Sequence, residues 1–185
     1  MTVAALAGRR VDAGDALSPR FPPANIRLVR HRIRHELERL DVHAVVCSAA
    51  CGADLLALAV AGDLGIRRRA VLPVETARFR QTSVADRPGD WAPLFDRIAA
   101  DLRDHDDLVT LESGGDDSQG YFDTNNRILD EAQSIGRATG AEVVAIAVWD
   151  GESRGEDDVT DAFGKEARRR GLRLLEISTL DRTDD

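Results

Sequence analysis

The chain reads as an α/β protein: a three-layer α/β/α arrangement in which a mostly parallel sheet of about six strands lies between helices. Two observations predict it. Short apolar runs alternate with helix-period segments of ten residues or more along the 185 residues, and parallel strands need crossovers of that length. The apolar runs are also continuous, as in strands covered on both faces. Residues 1–180 are read as one Rossmann-like domain and 181–185 as a frayed tail.

Val3–Ala7 is the first strand. Residues 8–23, with Gly8, Gly14, Pro19, Pro22 and Pro23, form a loop. Asn25 is placed to cap a helix running to about Leu40, whose Ile26, Val29, Ile33, Leu37 and Leu40 form one apolar stripe. Ala44–Ser48 is the second strand, and a small-residue turn leads into an apolar helix over 54–64, ended by Gly65. Arg69–Val74 is the third strand, closing near Pro73. Residues 75–89 read as a polar loop with a short helical piece at 76–84. Trp91–Arg103 is a helix, Leu108–Leu111 a short strand, and Ser113–Gly120 a surface loop rich in Gly, Asp and Ser. Tyr121–Thr139 is the next helix. Val143–Trp149, the most hydrophobic run, is placed as a central strand. A polar loop over 150–158, a helix from about Asp158 to Arg170 and a last strand, Leu172–Ile177, complete the order.

Composition narrows the function classes. A formal net charge of −8 argues against an extensive nucleic-acid surface, which needs clustered cations. No apolar run approaches the ~20 residues of a membrane span. Met1–Gly8 has no leading basic residues, so it reads as a strand and not a signal segment, and a cytoplasmic location is expected. Cys47 and Cys51 lie four apart, unlike a redox or zinc pair. His31 and His35 are one helical turn apart with no third ligand nearby, and read as surface residues. No metal and no cofactor is expected.

Right-handed crossovers bring the ends of the first, second and fifth strands together, where open parallel sheets bind ligands. Three loops would meet there. After the second strand, Ser48, Ala49, Ala50 and Gly52 are small enough for an anion to approach the backbone at a helix start, and Ala53 beside them belongs to the same expected ligand site. The same residues also suit a tight turn with nothing bound. Asp54 begins that helix, where it either caps backbone N–H groups or contacts a sugar hydroxyl. After the first strand, Arg9 and Arg10 can hold a phosphate or neutralise the acidic loop Asp12–Asp15. Tyr121, Asn125, Asn126 and Arg127 would project over the cleft, with Asn125 or Asn126 suited to a base or ribose and Arg127 to a phosphate, or else form a solvated helix surface. Trp149 either stacks on a base or packs. No nucleophile elbow, His-Glu-x-x-His or Walker loop is present, and no catalytic residue is singled out.

Four segments resemble the SLOG superfamily, which includes the LOG phosphoribohydrolases and DprA-type domains. Ala7-Gly8-Arg9-Arg10 with Arg20-Phe21-Pro22 is similar to its Gly-x-Arg loop, and Ser48-Ala-Ala-Cys-Gly-Ala-Asp54 to its second turn. Val71–Phe79 with Ser83 is similar to its third-strand segment, and Val148-Trp-Asp-Gly151 through Thr160-Asp161 to the loop after its central strand. The resemblance implies a Rossmann-like sheet and a nucleotide-type small molecule near Gly8, Arg10, Ser48, Gly52, Asp54, Gly151 and Thr160. With Asp150 and the residues above, these form the expected ligand site. The chain departs from the pattern where Asp157-Asp158-Val159 replaces Gly-Gly before the Thr. Two carboxylates there would repel a phosphate unless a cation offsets them. The reading is therefore a cytoplasmic, non-catalytic sensor of a nucleotide or nucleotide-derived ligand. The alternatives are a LOG-like N-glycosidic phosphoribohydrolase, with Arg127 and an acidic residue of 150–161 as actors, and a protein-interaction subunit with a degenerate site. A homodimer is also expected, because related Rossmann-like proteins pair through helices.

Overall fold

The chain begins in the middle of its own sheet. In the computed structural model, which describes residues 1–111 and 118–181, strand β1 (Thr2–Gly8) is flanked by β2 (Val42–Cys47) and β5 (Glu142–Trp149). From β1 the chain winds outward through β2, β3 (Arg67–Leu72) and β4 (Leu108–Thr110), then returns to lay β5 and β6 (Arg173–Ser178) on the other side. The order is β4-β3-β2-β1-β5-β6, and every pair is parallel. The predicted α/β class with six strands holds.

The two directions of winding put the helices on opposite faces. Helices α1 (Ile26–Arg39), α2 (Ala53–Asp63) and α4 (Trp91–Asp104) share one core with Ala4, Leu6, Val45, Cys47 and Leu72. Helices α5 (Ser118–Thr139) and α6 (Val159–Arg169) share the other with Val3, Ala5, Val46 and Ala145. Successive strand residues therefore enter different cores, as the pleat requires. Helix α2 is buried nearly all round, from Ala53 to Ala61, because it lies between α1 and α4 as well as on the sheet. No helix among the described residues is long and apolar enough to cross a membrane.

Several boundaries differ from expectation for local reasons. Strand β3 starts at Arg67 and ends at Leu72, not at Arg69 and Val74. Its three arginines mask the strand in the sequence, yet each has a carboxylate partner. Arg67 and Arg69 reach Asp107, Arg69 also reaches Glu131, and Arg68 reaches Asp101. Residues 76–84 form the short helix α3 (Thr76–Phe79) and a π-helical turn, Arg80–Val84. Asn25 does not cap α1 with its side chain; Nδ2 donates instead to the Thr179 carbonyl. Helix α5 already begins at Ser118, which corrects the end of the expected loop 113–120; its residues 113–117 lie outside the described residues. So do residues 182–185 of the expected frayed tail.

Candidate functional site

A cavity of about 430 Å³ opens where the winding reverses, beside the carboxyl ends of β1, β2 and β5. The β1 loop supplies Gly8, Arg9, Arg10, Asp12 and Arg20, and the turn after β2 supplies Ser48, Ala50 and Asp54. The starts of α5 and α6 add Tyr121, Thr124, Asn125 and Thr160, and Arg87 and Arg154 come from other loops. Among the described residues no cluster of His, Cys, Asp and Glu is arranged to hold a metal ion.

Arg9 lines the cavity but spends its guanidinium on partners within the protein. Its guanidinium is 3% exposed and held on all sides: Nε donates to Asp150 at 2.8 Å, and Nη1 and Nη2 donate to Asp158 at 2.6 and 2.8 Å. Nη2 also donates to the Glu152 carbonyl, and the guanidinium lies 5.5 Å from the centre of the Trp149 ring. Burial opposes the charge of Arg9, but its bonds to Asp158 and Asp150 outweigh that and its pKa rises. Burial would likewise raise Asp158. The Arg9 bonds and the backbone N–H groups of Arg154 and Asp161 pull it instead well below the usual carboxylate range.

Arg9 is the cation that offsets Asp158, the condition under which the carboxylates at Asp157-Asp158 would not repel a phosphate. Asp157 is exposed, and Asp158 turns inward as the N-cap of α6, accepting from Thr160 and Asp161. Arg20 completes the knot by donating to the second Asp150 oxygen at 2.6 Å. The loop carrying Arg20 is set by Asp12, whose Oδ2 accepts the Arg20 and Phe21 N–H groups, and by the fully buried Phe21 ring.

The turn after β2 also departs from expectation. Its N–H groups are largely occupied from within: Ala50 donates to Asp54, Cys51 to the Ser83 carbonyl and Ala53 to the Arg9 carbonyl. Ala49, Gly52 and Ala53 do not line the cavity. The glycines serve backbone approach. A Cβ at Gly8 would lie 2.4 Å from Ala53 Cβ, and one at Gly52, with φ of 107°, would lie 2.7 Å from the Arg9 carbonyl oxygen. The Asp54 side chain takes the Ala50 N–H of this turn.

Asp54 is 6% exposed, and its Oδ1 meets no hydrogen-bond donor among the described residues. Burial raises the carboxyl to about 7. The Ala50 N–H, the Gly8 N–H (outside hydrogen-bonding geometry) and the Arg10 charge pull the other way. Arg10 pairs with Asp86, which also lies 3.9 Å from Arg87, and the Nε atoms of both arginines are buried without a hydrogen-bond acceptor among the described residues.

Of the expected residues, Gly8, Arg9, Arg10, Ser48, Asp54, Asn125 and Thr160 share this cavity. Asn125 donates to the Val159 carbonyl, so it also joins α5 to α6. Asp150 lies behind the wall in the arginine knot, and neither it nor Gly151 lines the cavity. Arg127 points elsewhere and pairs with Glu131 along α5. The hydrolase pair expected from Arg127 and the acidic loop is therefore not assembled. Sequence reasoning passed over Arg87 and Arg154 as cavity residues, because each comes from a loop whose path only the folded chain defines.

The fold and site define a three-layer α/β protein with a polar cavity at the crossover between β1 and β5. No family model matches the chain, and no curated protein does. Three solved chains match, among them the X-ray structure of DNA processing protein A (DprA) from Streptococcus pneumoniae. That likeness has 15% identity and a TM-score of 0.37, and covers 94% of this chain and 58% of that one. It is a coarse likeness of fold.

Proposed function

We propose that this chain is a cytoplasmic, non-catalytic domain that binds a nucleotide or a nucleotide-derived small molecule in the cavity between β1, β2 and β5. One observation carries the reading: a cavity of about 430 Å³ at the winding reversal is ringed by Arg10, Arg20, Arg87 and Arg154 around the buried Asp54. Small-molecule sites have volumes of roughly 300–1,000 Å³ and favour this position in open α/β sheets. Arg10 and Arg87 share the carboxylate Asp86, Arg10 also lies against the Cys51 thiol, and among the described residues neither Nε–H has an acceptor, which favours an oxyanion at this wall. Arg9 is excluded from that role by its own ion pairs.

Thermal-shift measurements with nucleoside monophosphates test the reading, because a ligand that binds only the folded chain raises its melting temperature. Wild type is expected to shift, and Arg10→Ala to shift less. No shift with any nucleotide removes the proposal. Release of a free base would turn it into a hydrolase, with Asp54 as the acid–base group.

A further inference from the structure

The two oxygens of the Asp54 carboxyl have different fates. Oδ2 accepts the Ala50 N–H at 3.3 Å. Oδ1 is buried, makes no hydrogen bond in good geometry among the described residues although the Gly8 N–H acts on the carboxyl, and belongs to a side chain that lines the cavity. An unsatisfied oxygen at that depth is completed by a donor arriving from the cavity.

The surroundings restrict what that donor is. The cations lie further out: the side chains of Arg20, Arg10 and Arg154 are 26%, 29% and 53% exposed. A ligand therefore presents its anionic end outward and a neutral polar group inward. Arg10, from the β1 loop, is the charge that acts on Asp54; the thiol of Cys47, on β2, is buried against its backbone carbonyl. From α5 the facing groups are Tyr121, Thr124 and Asn125, all uncharged. An ammonium group is disfavoured by the four arginines, Arg10, Arg20, Arg87 and Arg154, that line the same cavity. An amide N–H donates and cannot accept. A hydroxyl does both, so it stays bonded whether or not the carboxyl holds a proton.

Resting on the nucleotide reading above, we propose that Asp54 Oδ1 binds a sugar hydroxyl of the ligand and selects ribosyl over deoxyribosyl phosphates. Isothermal titration with AMP, 2′-deoxy-AMP and 3′-deoxy-AMP tests it, on wild type, Asp54→Ala and Asp54→Asn, each checked for folding by its melting curve. In wild type, removal of the recognised hydroxyl is expected to weaken binding at least about ten-fold. Asp54→Ala closes that gap, and Asp54→Asn, which keeps a polar partner, retains part of it. Equal binding of all three ligands by wild type, or an undiminished gap in Asp54→Ala, overturns this inference and leaves nucleotide binding standing. Failure of every nucleotide to bind wild type overturns both.

Discussion

Asp54 and Asp158 occupy equivalent places on opposite sides of β1. Each is a buried aspartate at the start of a helix, α2 for one and α6 for the other. Their states are opposite: Asp54 is raised to about 7, and Asp158 is held below the usual carboxylate range. Asp158 accepts from the Arg9 guanidinium and from the backbone N–H groups of Arg154, Thr160 and Asp161. Among the described residues Asp54 has one hydrogen bond in good geometry, from the Ala50 N–H at 3.3 Å, with the Gly8 N–H also acting on it. A helix start by itself does not fix the charge of a carboxyl; a buried guanidinium in contact does. One wall of the cavity is thus closed electrostatically, and the other retains bonding capacity.

The largest expected effect comes from removing the cation that distinguishes them. Arg9→Met leaves Asp150 and Asp158 buried without their main partner and is expected to destabilise the fold by about 3–5 kcal/mol in urea denaturation. A loss below about 1 kcal/mol would show that the knot does not make the difference.

Next comes pH. The folded pKa of Asp54 lies above its ordinary value of 3.8, so the folded state holds this proton more tightly. Its contribution to stability therefore falls as pH rises from about 4 to about 7, by on the order of 3 kcal/mol. Asp158 has the reverse sign: its contribution is full above the ordinary range and is lost as pH falls through its lowered folded pKa. Asp54→Asn should flatten the stability profile between pH 4 and 7, with the acid limb unchanged. An unaltered slope in that window would remove the contrast. The smallest effect belongs to Arg127→Ala, outside the cavity on a surface pair with Glu131. It is expected to change stability by less than about 0.5 kcal/mol and to leave nucleotide thermal shifts intact.

The alternation of strands and helices was readable in the sequence because continuous apolar runs and helical periods are local signals. So was the meeting of the β1, β2 and β5 ends, which follows from the handedness of crossovers. The roles of individual polar side chains were less accessible. Arg9 finds its carboxylates 141 and 149 positions away, and no local pattern encodes such a partner. Asp158 did carry a local signal, since an Asp immediately before a helix is an N-cap type. That its charge turns inward is not visible in the sequence, because its partner Arg9 lies 149 positions away. For the turn at 48–54 the sequence leaves an anion seat and a tight turn with nothing bound both open, and only the folded chain shows the Asp54 carboxyl accepting the Ala50 N–H of that turn.

Residues 178–180 fasten the rim of the cavity. Thr179 Oγ1 donates to the Arg20 carbonyl, its N–H donates to the Trp149 carbonyl, and its own carbonyl accepts from Asn25. Arg32 adds bonds to the Ser178 and Leu180 carbonyls. The segment that positions Arg20 is made early on the ribosome, and the residue that latches it is made 159 positions later. During synthesis, β1 through β5 can pair before that latch exists. A nascent chain lacking β6 would therefore have most of its sheet while the loop carrying Arg20 still lacked its Thr179 latch.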